Sequence, residues 1–308
     1  MRHFVWLLIL SCGIFVSCGE SYEVQKRITR AERARLAKEN AKALKIGVMP
    51  TLDCLPLFVA RHHHLFDTLG ADVRLKYFTA QMDCDTALAG GSVEGSVTDL
   101  VRASRLIKQG TPLTFKIATD AYWQLVTNRN ARIKTLKQLD DKMLAMTRYS
   151  ATALLADHAV DSARLKTERV FRIQVNDVLV RLQMLLTNEM DAMLLTEPQA
   201  TVALQHKHRL LMDSRQMDWY PGVIALRSET LKKWERRQQV DVLVKAYNQA
   251  CDSINKHGLA HYRELISRQC HIKENLVDSL PKNLTFRHAV GPRQKDIDKA
   301  EAWLKTQE

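Results

Sequence analysis

The chain has 308 residues, of which 46% are hydrophobic and 26% are charged, proportions typical of an ordinary globular protein. Its formal net charge is +12, a value that nucleic-acid-binding proteins often reach. Much of this charge lies in one segment, residues 26–45, and does not follow a motif that reads a nucleic-acid groove. We therefore expect no nucleic-acid partner.

The N-terminus has the parts of a secretory signal peptide. Arg2 precedes an apolar stretch over residues 4–16, which is too short for a membrane-spanning helix of about 20 residues. Residues 15–18 (Phe-Val-Ser-Cys) resemble a bacterial lipobox, although Leu is commoner than Phe at the first position. We predict a signal peptide over 1–17, lipidation of Cys18 and a location on the cell envelope outside the cytoplasm. The alternative is an ordinary signal peptide or short anchor with an incidental cysteine.

Residues 26–45 are rich in Ala, Arg, Leu and Lys, which are good helix formers. This composition predicts a basic helical tether over 18–43 that lies near anionic lipid headgroups. A solvated tail without a specific partner is the alternative. No apolar run after this segment approaches membrane-spanning length.

From residue 44 onward, short apolar runs alternate with helical patterns. The predicted strands of the first part cover 44–49, 71–78, 95–98, 113–118 and 122–127, and the helices 56–69, 82–88 and 100–109. The next predicted strands cover 142–147, 170–175, 191–195, 209–212 and 223–226, and the helices 151–160, 177–186 and 198–205. The remainder is mainly helical, with 232–256 as the longest candidate.

Alternating strands and helices predict an α/β fold of mainly parallel sheets with helices on both faces. Two such sets predict two lobes with two crossovers: 44–127 plus 221–308 form lobe one, and 128–220 form lobe two. Ligands of open α/β sheets bind beyond the carboxyl ends of the strands, where helix N-termini also point. We therefore expect a binding cleft between the lobes.

Several segments match known motifs in order and spacing. The matching segments are 44–49 with 55–60 and 65–66, 87–91 with 95–99, 136–142, and 190–192 with 196–198. Together they resemble the type 2 periplasmic binding proteins, in the branch that serves ABC importers of nitrate, sulfonate, taurine and thiamine-pyrimidine precursors. His64 departs from this pattern, because the family usually has Gly there.

The resemblance implies a two-lobed solute-binding lipoprotein that closes on a small molecule by a hinge motion and requires no cofactor. It implies ABC permease and ATPase subunits as partners and no enzymatic activity, and we expect a monomer. Enzymes on the same fold, such as menaquinone-precursor dehydratases and fungal pyrimidine synthases, are one alternative. They act in the cytoplasm, and the cysteine-rich string of the synthases is absent here. An interaction lipoprotein that uses the fold only as a scaffold is another.

Lobe one contributes candidate ligand-binding residues at three strand ends and one crossover. These candidates are Thr51, Asp53, Cys54, Thr79, Gln81, Thr98, Asp99 and Trp123. Asp53 and Asp99 can each bind a ligand amine or cap the helix that follows. Trp123 can stack on a planar ligand or lie in the core.

Lobe two contributes a hydroxyl-bearing turn, two strand ends and the return crossover. These candidates are Thr147, Arg148, Tyr149, Ser150, Asn176, Glu197 and Trp219. Arg148 can hold a carboxylate or sulfonate by two hydrogen bonds, or it can be a surface residue. Ser150, Asn176 and Glu197 can also serve the start of a helix, and Trp219 can lie in the core.

Two further features are tempting as sites. Residues 62–64 are three consecutive histidines, but consecutive helical positions point about 100° apart and do not converge on one metal ion, so we expect no metal site. Cys54, Cys84, Cys251 and Cys270 lack metal-finger spacing and are expected to be buried thiols. A Cys54–Cys84 disulfide at the rim of the cleft is the alternative, since an exported compartment permits it.

The nature of the ligand is open at this level. Arg148, the net positive charge and the hydroxyl-lined helix starts favour an oxyanion. The candidate carboxylates and tryptophans favour a heterocyclic or amine-bearing solute. Because three carboxylates around one cleft would repel a sulfonate unless they act as caps, we expect the amine-bearing solute, with an oxyanion as the alternative.

Overall fold

A computed structural model describes residues 22–307, which fall into two units that separate after Ala43. The first unit contains α1 (Tyr22–Lys42), a helix where the composition predicts one. Its role as a tether remains a prediction, and the expected signal peptide and Cys18 lie outside the described residues. Within the described range, no helix is long and apolar enough to cross a membrane.

Lobe one is built on a five-stranded sheet of order β2-β1-β3-β10-β4. Its strands are β1 (Leu44–Val48), β2 (Val73–Tyr77), β3 (Gly95–Asp99), β4 (Leu113–Ala118) and β10 (Gly222–Arg227). Its helices are α2 (Leu55–His62), α3 (Leu65–Thr68), α4 (Gln81–Ala89), α5 (Leu100–Lys108), α9 (Trp234–His257), α10 (Arg263–Cys270) and α11 (Gln294–Lys305). Strand β1 is parallel to β2 and β3, whereas β10 is antiparallel to β3 and β4.

Lobe two repeats this arrangement in a five-stranded sheet of order β7-β6-β8-β5-β9. Its strands are β5 (Gln124–Thr127), β6 (Lys142–Met146), β7 (Val170–Gln174), β8 (Ala192–Leu195) and β9 (Arg209–Asp213). Its helices are α6 (Ala151–Ser162), α7 (Val178–Leu186) and α8 (Gln199–Gln205). Strand β6 is parallel to β7 and β8, and β5 is antiparallel to β8 and β9. The prediction of two mainly parallel α/β lobes with two crossovers is confirmed.

The predicted lobe boundary at residue 127 is wrong for one strand. Strand β5 pairs with β8 and β9, so it belongs to the sheet of lobe two. The first crossover therefore lies at 119–123, and the second connects β9 to β10. The error has a physical reason: a strand's own sequence does not reveal which distant strands will satisfy its backbone hydrogen bonds.

The single helix predicted over 56–69 is two helices in the structure. Helix α2 ends at His62 and α3 begins at Leu65, and His64 between them has a left-handed backbone with φ of 53°. Glycine adopts this conformation more readily than any other residue, which gives a physical reason for the family's usual Gly at this position. The break lies on the outer side of lobe one and does not reach the cleft.

The two lobes share apolar packing as well as the cleft. Leu100 and Val101 of α5 lie in the same buried cluster as Leu125 and Leu144 of the lobe-two sheet. Helix α11 packs against both α5 and α6, and the indole Nε1 of Trp303 donates to Asp157 of α6 at 2.8 Å. This packing brings the start of α5 and the start of α6 face to face.

Candidate functional site

A cavity lies between the lobes at the carboxyl ends of β1, β3, β6 and β8. Its volume, as space for the centre of a water molecule, is about 50 Å³. The predicted residues that line it are Thr51, Asp53, Gln81, Thr98, Asp99, Trp123, Thr147 and Ser150. The lining residues that were not predicted are Met49, Val97, Arg102, Thr152, Val178, Arg181, Leu195, Thr196 and Gln199.

The lobes are closed on each other around this cavity. The backbone N–H of Leu52 donates to the Glu197 carbonyl at 2.8 Å, and that of Val178 donates to the Thr79 carbonyl at 3.1 Å. The side-chain Nε2 of Gln199 in lobe two donates to the Pro50 carbonyl of lobe one at 2.7 Å. Because these bonds cross between lobes, a solute can enter only after they break.

Asp99 joins the starts of two helices from different lobes. Its Oδ1 accepts from the N–H groups of Val101 and Arg102 at the start of α5, both at 3.0 Å. The same oxygen accepts from the N–H of Ala151 at the start of α6, also at 3.0 Å. Burial raises the pKa of Asp99 to about 6, although the nearby Arg102 acts in the opposite direction. Asp99 is therefore a helix cap that also holds the lobes together.

The hydroxyl groups of the turn before α6 form hydrogen bonds within the protein, including one that caps the start of α6. Ser150 Oγ accepts from the N–H of Thr152 at 3.1 Å and donates to the Thr147 carbonyl at 2.6 Å. Thr147 Oγ1 donates to the Val175 carbonyl at 3.2 Å. With Asp99 already at the Ala151 N–H, this helix start does not present the open oxyanion site that the sequence suggested.

Glu197 is buried but does not line the cavity. Its Oε1 accepts from Gln124 Nε2 at 2.8 Å and from the Tyr122 hydroxyl at 3.3 Å, and its Oε2 accepts from the N–H of Thr201 at 3.1 Å. The carboxylate is thus satisfied within lobe two. The expectation of a ligand contact here does not match this geometry.

Asp53 differs from the other two carboxylates, because one of its oxygens has no partner. Oδ2 lies 3.4 Å from the Thr119 hydroxyl, whereas Oδ1 is shielded from solvent and has no hydrogen-bond partner among the described residues. Burial raises the pKa of Asp53, although bonds from Thr51 and Thr119 oppose this. No side-chain bond caps α2, so Asp53 is not the helix cap that the sequence allowed.

Two buried arginines line the cavity and were not predicted. Arg102 is ion-paired with Asp85 and lies 3.7 Å from Asp99, yet its Nη2 has no partner in the described chain. Arg181 donates from Nη1 to the Leu194 carbonyl at 3.0 Å, while its buried Nε also lacks a partner. Arg102 and Arg181 each lie near the start of a helix, where a positive charge opposes the helix dipole. This unfavourable placement is the feature of the sequence that could have indicated a functional role for the two arginines.

The remaining predicted residues lie outside the cavity. Trp219 is 1% exposed in the buried cluster shared by the two lobes and donates from Nε1 to the Asp296 carbonyl at 3.3 Å, so it cannot stack on a ligand in the cleft. Arg148 and Tyr149 are exposed on the outer rim, where the Arg105 guanidinium lies 4.3 Å from the Tyr149 ring centre. Thr79 lies at the lobe contact, where its carbonyl accepts from Val178 and its side chain hydrogen-bonds with Asp177.

Two other predicted ligand-binding residues also do not line the cavity. Asn176 accepts from Gln174 near the surface. The thiol of Cys54 is buried beneath the first-strand loop, and burial raises its pKa well above the ordinary value. Cys54, Cys84, Cys251 and Cys270 are free thiols in the structure. Across residues 22–307, no set of three His, Cys, Asp or Glu side chains is arranged to hold a metal ion.

The two-lobed fold, with its cavity at the strand ends, is that of the periplasmic solute-binding proteins. One similar structure is the ligand-binding component of an ABC-type import system from Staphylococcus aureus with zinc bound (15% identity, 86% of this chain, 92% of that chain, TM-score 0.73). Another is the alkanesulfonate-binding protein SsuA from Xanthomonas axonopodis pv. citri bound to MOPS (15%, 86%, 92%, 0.71). A third is the nitrate-binding protein NrtA from Synechocystis PCC 6803 (13%, 83%, 74%, 0.67). At these identities the likeness shows a shared fold.

The family is shown by the sequence itself. The model of the NMT1-like family matches residues 37–267, and the chain belongs to this family. A comparison with curated protein sequences finds no significant match. The resemblance to periplasmic binding proteins that the sequence motifs carry is therefore confirmed at the level of family and fold.

Proposed function

We propose that the protein is an extracytoplasmic receptor that binds a small organic solute between its lobes and delivers it to an ABC importer. The similar structures include the ligand-binding component of an ABC-type import system, an alkanesulfonate-binding protein and a periplasmic nitrate-binding protein. The proposed partners are the permease and ATPase subunits, with the receptor acting as a monomer. Anchoring by lipidated Cys18 and the signal peptide over 1–17 belong to the same proposal.

One observation carries this proposal. The cavity at the strand ends is closed between the lobes, yet its wall holds buried polar atoms without a partner, such as Asp53 Oδ1 and Arg181 Nε. Buried polar groups in folded proteins are nearly always hydrogen-bonded. A bound solute would satisfy these atoms and would favour the closed state over the open one.

Binding without catalysis fits the chemistry of the cavity. Its lining residues include no His, Cys or Lys, and its one Ser donates to a backbone carbonyl of its own turn. The lining residues thus lack the thiol, amine and imidazole groups that commonly serve as nucleophile or base. This favours a receptor over the enzymes that share the fold.

The three carboxylates that favoured an amine-bearing solute differ in whether groups of the protein already hydrogen-bond to all of their oxygens. Asp99 and Glu197 are bonded within the protein, so only Asp53 keeps an oxygen for a ligand. An oxyanion is therefore not repelled by three free carboxylates. A planar heterocycle is less well supported than the sequence suggested, because only one of the two candidate tryptophans, Trp123, lines the cavity.

Native mass spectrometry of the freshly purified protein tests the proposal. We expect a co-purified solute whose mass disappears after unfolding, dialysis and refolding, and whose return raises the melting temperature. Thermal-shift screening of organic anions, amines and vitamin precursors is the second arm. If no solute co-purifies and none raises the melting temperature, the receptor proposal is wrong.

A further inference from the structure

Unpartnered polar atoms are concentrated at the interlobe cavity. Ten buried side-chain nitrogen or oxygen atoms in the described chain have no hydrogen-bond partner. Five of these belong to cavity-lining residues: Asp53 Oδ1, Thr98 Oγ1, Arg102 Nη2, Arg181 Nε and Gln199 Oε1. Since each unpaired buried group is costly, a solute whose groups pair with these atoms would bind preferentially in the closed cavity.

One part of the cavity offers donors. Arg181 is 6% exposed and lines the cavity together with Arg102. Burial and the positive charge of Arg102 lower the pKa of Arg181 to about 10, against the opposing charge of Asp177. A buried guanidinium N–H without a hydrogen-bond partner is unfavourable. An acid group of the ligand would satisfy both free N–H groups.

The other part of the cavity offers acceptors. Gln199 uses its Nε2 to donate to the Pro50 carbonyl, so its unpartnered Oε1 is an acceptor. Pro50 begins the same loop that carries Asp53, whose Oδ1 is likewise unpartnered. Two free acceptors beside one loop call for a ligand group that donates hydrogen bonds, such as an ammonium.

The cavity also limits the size of the ligand. In the closed state about 50 Å³ of the cavity is open to the centre of a water molecule. A ligand that satisfies both ends must be short.

We infer that the ligand is a small ampholyte, with its acid group at Arg102 and Arg181 and its ammonium group at Asp53 and Gln199. This inference rests on the proposed receptor function and names the class of solute that the receptor takes. Neither a simple anion nor a simple amine satisfies both ends of the cavity.

Probes that carry both charges, or only one of them, test the acid group and the ammonium group of the ligand separately. Isothermal titration calorimetry at pH 7 on the stripped protein would compare 3-aminopropanoate with propanoate and propylamine, and 2-aminoethanesulfonate with ethanesulfonate and ethylamine. We expect at least one ampholyte to bind about 10- to 100-fold more tightly than both of its single-charge partners, because hydrogen bonds between charged groups contribute that much.

Variants locate each end. Asp53→Asn should remove most of the preference for the ampholyte over its anion without weakening the binding of the anion, because the variant removes a negative charge from the cavity. Arg181→Gln should weaken both by about 10-fold or more. Arg148→Gln, on the exposed rim, is the matched control and should bind like the wild type. Melting temperatures report whether each variant is folded.

The outcomes distinguish the inference from the proposed function. If an anion or an amine binds as tightly as the ampholyte, the inference is wrong and the receptor function stands. If the Asp53→Asn and Arg181→Gln variants keep the wild-type preference, the inference is also wrong. If none of the six probes binds, the inference falls, and native mass spectrometry decides the receptor function separately.

Discussion

Replacing Asp99 with Asn removes a buried negative charge and keeps a side-chain oxygen at the same place. That oxygen can still accept from the N–H groups of Val101 and Arg102 in α5 and from Ala151 in α6. Asn is as good a helix cap as Asp, so the hydrogen bonds of the cap are retained. The substitution therefore isolates the effect of the charge.

The size of that effect follows from the pKa. Burial raises the pKa of Asp99 from its ordinary value of 3.8 to about 6. This difference corresponds to about 3 kcal/mol, because one pKa unit is about 1.4 kcal/mol. A raised pKa means that the folded state holds the proton more tightly than the unfolded state. The contribution of Asp99 to stability is thus fully present below about pH 4 and is lost as the pH rises through about 6.

Urea unfolding of the wild type and Asp99→Asn at pH 4, 5, 6 and 7 measures this loss. We expect the free energy of unfolding of the variant, relative to the wild type, to increase by about 3 kcal/mol from pH 4 to pH 7. Titrating groups that do not interact with Asp99 cancel in the difference. A difference that stays constant, or that decreases with rising pH, would refute the reasoning.

Asp218→Asn provides a control of opposite sign. Hydrogen bonds from Lys295 and Arg293 lower the pKa of Asp218 to about 2, so its contribution is present above about pH 4 and is lost as the pH falls. Between pH 5 and 7 the difference between this variant and the wild type should remain nearly constant.

Three further predictions concern the fold. Trp219→Ala should lower the free energy of unfolding, measured by urea titration, by about 3–5 kcal/mol. Trp219→Phe should leave the affinity for the co-purified solute unchanged. A loss of affinity in the Phe variant would place Trp219 in the binding site. His64→Gly should raise the free energy of unfolding by up to about 1 kcal/mol, because the left-handed backbone is strained for His. His62→Gly within α2 should lower it by about 1 kcal/mol. Equal effects of the two substitutions would argue against the helix break. The four cysteines of the described chain should react with a thiol reagent only after denaturation without reductant, and fewer than four reactive thiols would indicate a disulfide.

Much of the fold was predictable because it depends on local pattern. Period-two and helical runs of apolar residues gave the strands and helices of both lobes to within a few residues, as at 113–118 and 170–175. The motifs around Asp99 and Glu197 gave the family and the place of the cleft. What local pattern cannot give is the partner of a strand, and this is why β5 was assigned to the wrong lobe.

The sequence by itself determined which residues stand at the strand ends, because chain order and periodicity decide that. Only the tertiary structure decided which of them remain available to a ligand. Asp99 and Glu197 accept hydrogen bonds from partners that include Ala151 and Gln124, which lie far away in the sequence, whereas Asp53 keeps an unpartnered oxygen within the described chain. Arg181 lies in an apolar helix pattern, and it becomes a candidate anion site because folding buries it in the cavity wall with its Nε unpartnered in the described chain. Hydrogen-bond partners and burial are properties of contacts between distant segments, and no local pattern contains them.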